Sequence, residues 1–201
     1  MKRIGIFGGS FNPIHLGHTT LAAYICEQGM VDEVWLMVSP QNPLKQDRTL
    51  LDEQERLTMS RLAVAPYPTL KASNFEFTLP RPSYTYHTLK ALRKAYPDYE
   101  FHLIIGEDNW NCFDRWYRGE DIIRETPIIV YPRKSESTEE PVLNEQFSTS
   151  VFQLSFLEHP PLLPYSSTEI RSLIAQGNDA SHMLHPNVAK YIEENHLYSD
   201  K

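Results

Sequence analysis

Short apolar runs alternate with amphipathic stretches almost from end to end of the chain. Arg3–Phe7 and Glu33–Ser39 (EVWLMVS) have the length and composition of strands. Thr69–Phe77 predicts a third strand, Glu100–Ile105 (EFHLII) a fourth, Ile128–Tyr131 (IIVY) a fifth and Val151–Phe156 a sixth. Between them Gly17–Gln28 reads as a helix, and Leu89, Leu92 and Ala95 give Ser83–Ala95 helical spacing. Asp52 with Glu55 has the form of a capping box opening a helix through Ala63. Two more helices are predicted over Ser167–Gln176 and Pro186–Asn195.

Repeated β-α-β order implies an α/β fold, a Rossmann-like, doubly wound, mostly parallel sheet with helices on both faces. Ligands of such sheets bind beyond the carboxyl ends of the strands. The 201 residues suit one domain over 1–201, with a small helical part from about residue 165. The polar, acidic stretch from Lys134 to Glu145 is expected to be an exposed loop. Composition changes this picture little, with 41% hydrophobic and 22% charged residues being ordinary for a globular chain. A formal net charge of −7 argues against a nucleic-acid partner, though a few local Lys, Arg and His residues can still hold a phosphate. Two cysteines, Cys26 and Cys112, lie far apart and read as reduced and structural. The first apolar run is too short for a signal peptide and no stretch approaches a membrane span, so a cytoplasmic protein without a membrane partner is expected.

The chemistry is concentrated where the first strand ends, in Gly8-Gly9-Ser10-Phe11-Asn12-Pro13-Ile14-His15-Leu16-Gly17-His18. This is neither a GxGxxG fingerprint nor a P-loop. It has the makings of a phosphate site all the same. Glycines let backbone amides approach an anion closely, and a helix N-terminus adds free N–H groups and partial positive charge. His15 and His18, three apart, share a face at that helix start. The helix dipole there favours neutral imidazoles, each able to donate one N–H. Other readings of these residues are a metal-binding pair, helix-capping side chains, or a tight glycine turn. No third metal ligand lies nearby in sequence, so no metal site is assigned to the protein.

GGSFNPIHLGH resembles the (H/T)xGH signature of the nucleotidyltransferase superfamily, and Ser166-Ser167-Thr168-Glu169-Ile170-Arg171 resembles its late SSTxIR element. The segment Pro82–Leu89 (PSYTYHTL), Ile105-Gly106-Glu107-Asp108 followed by Trp116, and the ending from His185 to Tyr198 resemble one branch, the bacterial nicotinate-nucleotide adenylyltransferases. Asn12 stands where that branch often has Asp, Leu44 where it often has His, and Lys134 where it often has Gly. The resemblance implies transfer of AMP from ATP to nicotinate mononucleotide with release of pyrophosphate. The same transfer to nicotinamide mononucleotide, or to a phosphopantetheine-type acceptor, is the nearest alternative; a non-catalytic nucleotide-binding protein is a remote one. It implies ATP contacts from Gly8, Gly9, Ser10, Phe11, His15, Gly17, His18, Gly106, Asp108, Ser167, Thr168 and Arg171. His18, His15, Lys45 and Arg171 would carry the catalysis. Ser167 and Thr168 also fit simple N-capping of the late helix. Thr85 and Trp116 would hold the mononucleotide, with Mg2+ arriving on ATP.

Overall fold

The computed structural model describes residues 1–40, 50–132 and 153–199. Six strands form one parallel sheet: β1 (Lys2–Gly9), β2 (Glu33–Val38), β3 (Leu70–Ser73), β4 (Tyr99–Gly106), β5 (Ile128–Tyr131) and β6 (Leu154–Phe156). Their order across the sheet is β3-β2-β1-β4-β5-β6, so the chain reverses its direction of travel between β1 and β4. That reversal opens a crevice at the carboxyl edge, because the connections from the two strands leave toward opposite faces. β1 and β4 pair from Lys2 opposite Tyr99 to Phe7 opposite Ile104. Both then run on into glycine, Gly8-Gly9 on one side and Gly106 on the other.

Strand period and burial agree. Val34, Leu36 and Val38 join the core under α1 (Leu16–Glu27), α2 (Glu53–Val64), α6 (Ser167–Ala175) and α7 (Pro186–Glu194). Trp35 and Met37 face the opposite core, with α3 (Thr85–Ala95), α4 (Glu107–Trp110) and α5 (Gly119–Glu125). Alternate side chains therefore fill two layers, and each fully buried Leu or Ile contributes about 1.5–3 kcal/mol. Trp35 and Trp110 are both core residues. Cys26 and Cys112 are free thiols. Among the described residues no helix is long and apolar enough to cross a membrane.

Several expected elements change at their ends. β3 stops at Ser73 instead of reaching Phe77, and Phe75–Thr78 forms a 3-10 turn. The Ser73 hydroxyl accepts a bond from the Phe75 N–H (3.3 Å), a local alternative to the sheet ladder that an edge strand can adopt cheaply. α3 begins at Thr85, two residues later than expected, after an extended Tyr84. Asp52 does cap α2, accepting from the Gln54 N–H at 2.8 Å, but Glu55 closes no box. Its carboxylate accepts instead from the Tyr191 hydroxyl of α7 (2.8 Å). The sequence pattern does not predict α5, whose buried residues are Gly119, Ile122 and Ile123. Of the sixth strand, Val151 and Phe152 lie outside the described residues.

Candidate active site

The carboxyl edge of β1 leads directly into the loop that the sequence singles out. A Cβ at Gly8 would meet nothing within 4 Å, whereas one at Gly9 would stand 2.9 Å from the Phe11 ring. Phe11 is buried, with φ at +46°, a left-handed backbone that a bulky residue adopts only when its surroundings impose it. Its ring lies edge-on to Phe7 (6.1 Å between centroids) and to His18 (5.1 Å). Ser10 is exposed at the crest of the loop.

His15 is the N-cap of α1 and is buried; His18 is half-buried one turn on. Their rings stack at 3.7 Å with 28° between planes. The His15 backbone N–H donates to Nδ1 of His18 at 3.2 Å. That bond needs a lone pair on Nδ1, so the proton of the neutral ring sits on Nε2 and is a donor. Gly17 makes the stack possible, because a Cβ there would stand 3.0 Å from the His15 ring. His18 is thus a capping residue and an oriented donor at once.

The two separated motifs meet here. Ser167 Oγ donates to the Pro13 carbonyl at 2.9 Å, and Arg171 Nη1 donates to the Asn12 carbonyl at 2.8 Å. Capping of α6 belongs to Ser166, whose hydroxyl accepts from the Glu169 N–H (3.1 Å), and not to Ser167 or Thr168. Thr168 lies in the first turn, with its hydroxyl 3.5 Å from Arg171 Nη2. Gly106 ends β4 across the crevice and precedes α4, on which Asp108 is exposed. Lys45 and Leu44 fall within residues 41–49, and Lys134 with the acidic stretch within 133–152, outside the described residues.

On the other side of the sheet, Thr85 is the first residue of α3 and Trp116 is half-buried against Phe113 (5.0 Å). Their neighbours Tyr84 and Tyr117 stack at 4.8 Å, which draws the two segments together. Buried polar atoms without a hydrogen-bond partner among the described residues include Ser83 Oγ and Trp116 Nε1 beside these segments and Glu76 Oε2 in the Phe75–Thr78 turn. Burial raises the Glu76 carboxyl above its ordinary pKa, against the pull of the Thr88 hydroxyl bonded to its other oxygen at 2.7 Å.

Sequence reasoning missed Arg56 and the use made of Tyr198. Arg56 is fully buried in α2 and donates to the carbonyls of Ser10 (2.7 Å), Ser39 (2.7 Å), Pro40 (3.0 Å) and Leu51 (2.9 Å). A signal existed. Arg56, Met59, Ser60 and Ala63 form the buried stripe of α2, so a cation occupied a core position of the helical repeat. The Tyr198 hydroxyl donates to Asn12 Oδ1 at 2.8 Å. Burial raises that phenol well above its ordinary pKa, so it remains a donor. An Asn amide oxygen accepts this bond without placing a second buried charge in the loop.

A parallel sheet with two phosphate-type motifs at its switch point defines a nucleotidyltransferase, and the cytidylyltransferase-like family matches residues 6–173. A probable nicotinate-nucleotide adenylyltransferase of Bacteroides thetaiotaomicron is 48% identical, the match covering 96% of this chain and 91% of that protein. One from Flavobacterium johnsoniae is 41% identical over 98% of each. This chain belongs to the nicotinate-nucleotide adenylyltransferase family. The fold is shared with the Plasmodium falciparum nicotinic acid mononucleotide adenylyltransferase complexed with NaAD, at a TM-score of 0.79, 24% identity and 98% coverage of both chains.

Proposed function

We infer that this enzyme transfers AMP from ATP to nicotinate mononucleotide, forming nicotinate adenine dinucleotide and pyrophosphate in NAD biosynthesis. The observation that carries the reading is the docking of the Ser167–Arg171 segment onto the Asn12-Pro13 carbonyls beside His15 and His18. It gathers donors from both ends of the chain at one end of β1. The acceptor assignment draws on the family and on Thr85 and Trp116, the sequence neighbours of the stacked Tyr84 and Tyr117.

The attacking group is a phosphate monoester, which loses its second proton near pH ~6 and needs no general base at neutral pH. The chain's task is to position two anions and to stabilise charge on the α-phosphoryl oxygens. His18 Nε2–H is the donor for those oxygens, with His15 beside it. Amides of Gly8, Gly9, Ser10 and Phe11, with Gly17 at the helix start, surround the phosphates. Ser167, Thr168 and Arg171 hold the β- and γ-phosphates, and Lys45 adds a point charge. Gly106 and Asp108 hold the adenosine ribose. Among the described residues no three His, Cys, Asp or Glu side chains converge into a metal cage. The amides, hydroxyls and imidazoles that do converge suit phosphate oxygens. Mg2+ fits this site as an ion held by ATP and water, neutralising phosphate charge.

Purified protein with ATP and a magnesium salt is expected to release pyrophosphate with nicotinate mononucleotide at a higher kcat/KM than with the amide or with phosphopantetheine. Preference for either of those acceptors would overturn the assignment.

Trp116, half-buried against Phe113, supplies the ring platform in this reading. An aromatic pair contributes about 0.5–1.5 kcal/mol beyond buried area, and a pyridinium charge about 0.5–2 more. Trp116→Ala should weaken mononucleotide binding roughly 10–100-fold, at about 1.4 kcal/mol per decade, and leave ATP binding nearly unchanged. Titration calorimetry with each substrate separates the two. Unchanged mononucleotide affinity together with a melting temperature several degrees lower would make Trp116 a packing residue only.

A further inference from the structure

Arg56 sits at the bottom of the phosphate-binding loop, yet no step above uses it. A buried guanidinium is costly unless its N–H groups find acceptors, and here four of its five N–H groups donate to four main-chain carbonyls. None of these partners is a carboxylate. Asp52 and Glu53 act on it only at longer range, and burial is the largest influence on its pKa, pulling it down from a very high ordinary value. Arginine remains charged through such a shift, so a positive charge with no ion-pair partner among the described residues lies under the loop.

The direction of the bonds matters as much as the charge. The Ser10–Phe11 peptide is trans, so its N–H points away from its carbonyl. Arg56 Nη1 holds that carbonyl at 2.7 Å, so the Phe11 N–H points away from Arg56, in a loop whose Ser10 is exposed. The same nitrogen holds Ser39 O at 2.7 Å, and the Ser39 N–H in turn donates to Gly9 O at 2.9 Å. Arg56 therefore ties the end of β2 and the loop after β1 into one rigid unit. Neutral donors could satisfy those carbonyls with less desolvation. A cation adds a field that strengthens each outward amide toward an anion.

We propose that Arg56 is a positioning residue for the ATP phosphates, aiming the Phe11 amide into the crevice and charging the loop from below. The inference rests on the reading that ATP lies along this loop, and its test uses MgATP without an acceptor, so it does not depend on which mononucleotide is the substrate. Arg56→Lys keeps a charge but cannot reach the same carbonyls together. It is expected to bind MgATP at least tenfold more weakly by calorimetry. In the full reaction, KM for ATP should rise while KM for the mononucleotide stays within twofold. A folded Arg56→Lys protein with wild-type MgATP affinity would overturn the proposal, as would equal losses for both substrates. A second measurement needs no variant. In nuclear magnetic resonance titrations of the wild-type protein, MgATP should shift the Phe11 amide and the Arg56 Nε–H signals among the largest changes. A Phe11 amide that does not move in the ATP-saturated protein would equally overturn it.

Discussion

His18→Ala is expected to fold and to lose turnover by roughly 10²–10³, about 3–4 kcal/mol of transition-state stabilisation. The size follows from what is removed. Nδ1 is engaged by the His15 N–H, which leaves Nε2–H as a donor already oriented before ATP arrives. A donor held in place in a poorly hydrated site gives up little reorganisation energy when charge develops. The alanine variant also loses half of the reciprocal cap at the start of α1, a stability loss of about 1 kcal/mol. Single-turnover rates measured beside thermal melts distinguish the two effects. His18→Gln can place an amide N–H near the Nε2 position and should recover part of the rate. An alanine variant with near-normal turnover would leave His18 as a helix-capping residue and nothing more.

Arg171→Ala should cost roughly 10–100-fold in kcat/KM for ATP, since a charge-assisted hydrogen bond contributes about 1.5–3 kcal/mol. More of the loss should fall on KM for ATP than on turnover. In the proposed reading Arg171 holds ATP phosphates, and its 2.8 Å bond to the Asn12 carbonyl also fastens α6 to the loop. Arg171→Lys keeps the charge without the planar fork and should lie between wild type and alanine. Initial rates over a range of ATP at saturating mononucleotide test this. A variant with unchanged KM for ATP would remove Arg171 from the phosphate site.

The parts of the site that were legible are those whose chemistry is local. Glycines before a helix start and two histidines three apart act through nearby backbone, so the chain displays them in order; the late-helix hydroxyls are visible as a motif, yet Ser167 meets its partner, the Pro13 carbonyl, 154 residues away. Arg56 and Tyr198 escaped notice because their partners are remote in sequence, 46 residues for the bond from Arg56 to Ser10 and 186 for that from Tyr198 to Asn12. Nothing in a helix repeat names the carbonyls a buried guanidinium will meet. Element ends slipped for a similar reason. The Ser73 side chain ended β3 early, and Glu55 chose a tyrosine on α7 over its own helix start.

Periodicity determined the parallel sheet and the helices on both faces, because alternation of buried and exposed side chains is a property of the local chain, and the glycines and histidines after β1 marked the candidate loop. Which strands became neighbours was decided only in three dimensions. The order β3-β2-β1-β4-β5-β6 put Gly9 and Gly106 on either side of one crevice. Packing of α6 on the core brought Arg171 to Asn12 across 159 residues. The stack of Tyr84 on Tyr117 joined the start of α3 to the segment after Phe113 on the other side of the sheet. Sequence supplied the donors; tertiary structure made them converge, since hydrogen bonds and ring contacts depend on distances of a few ångströms that chain separation does not encode.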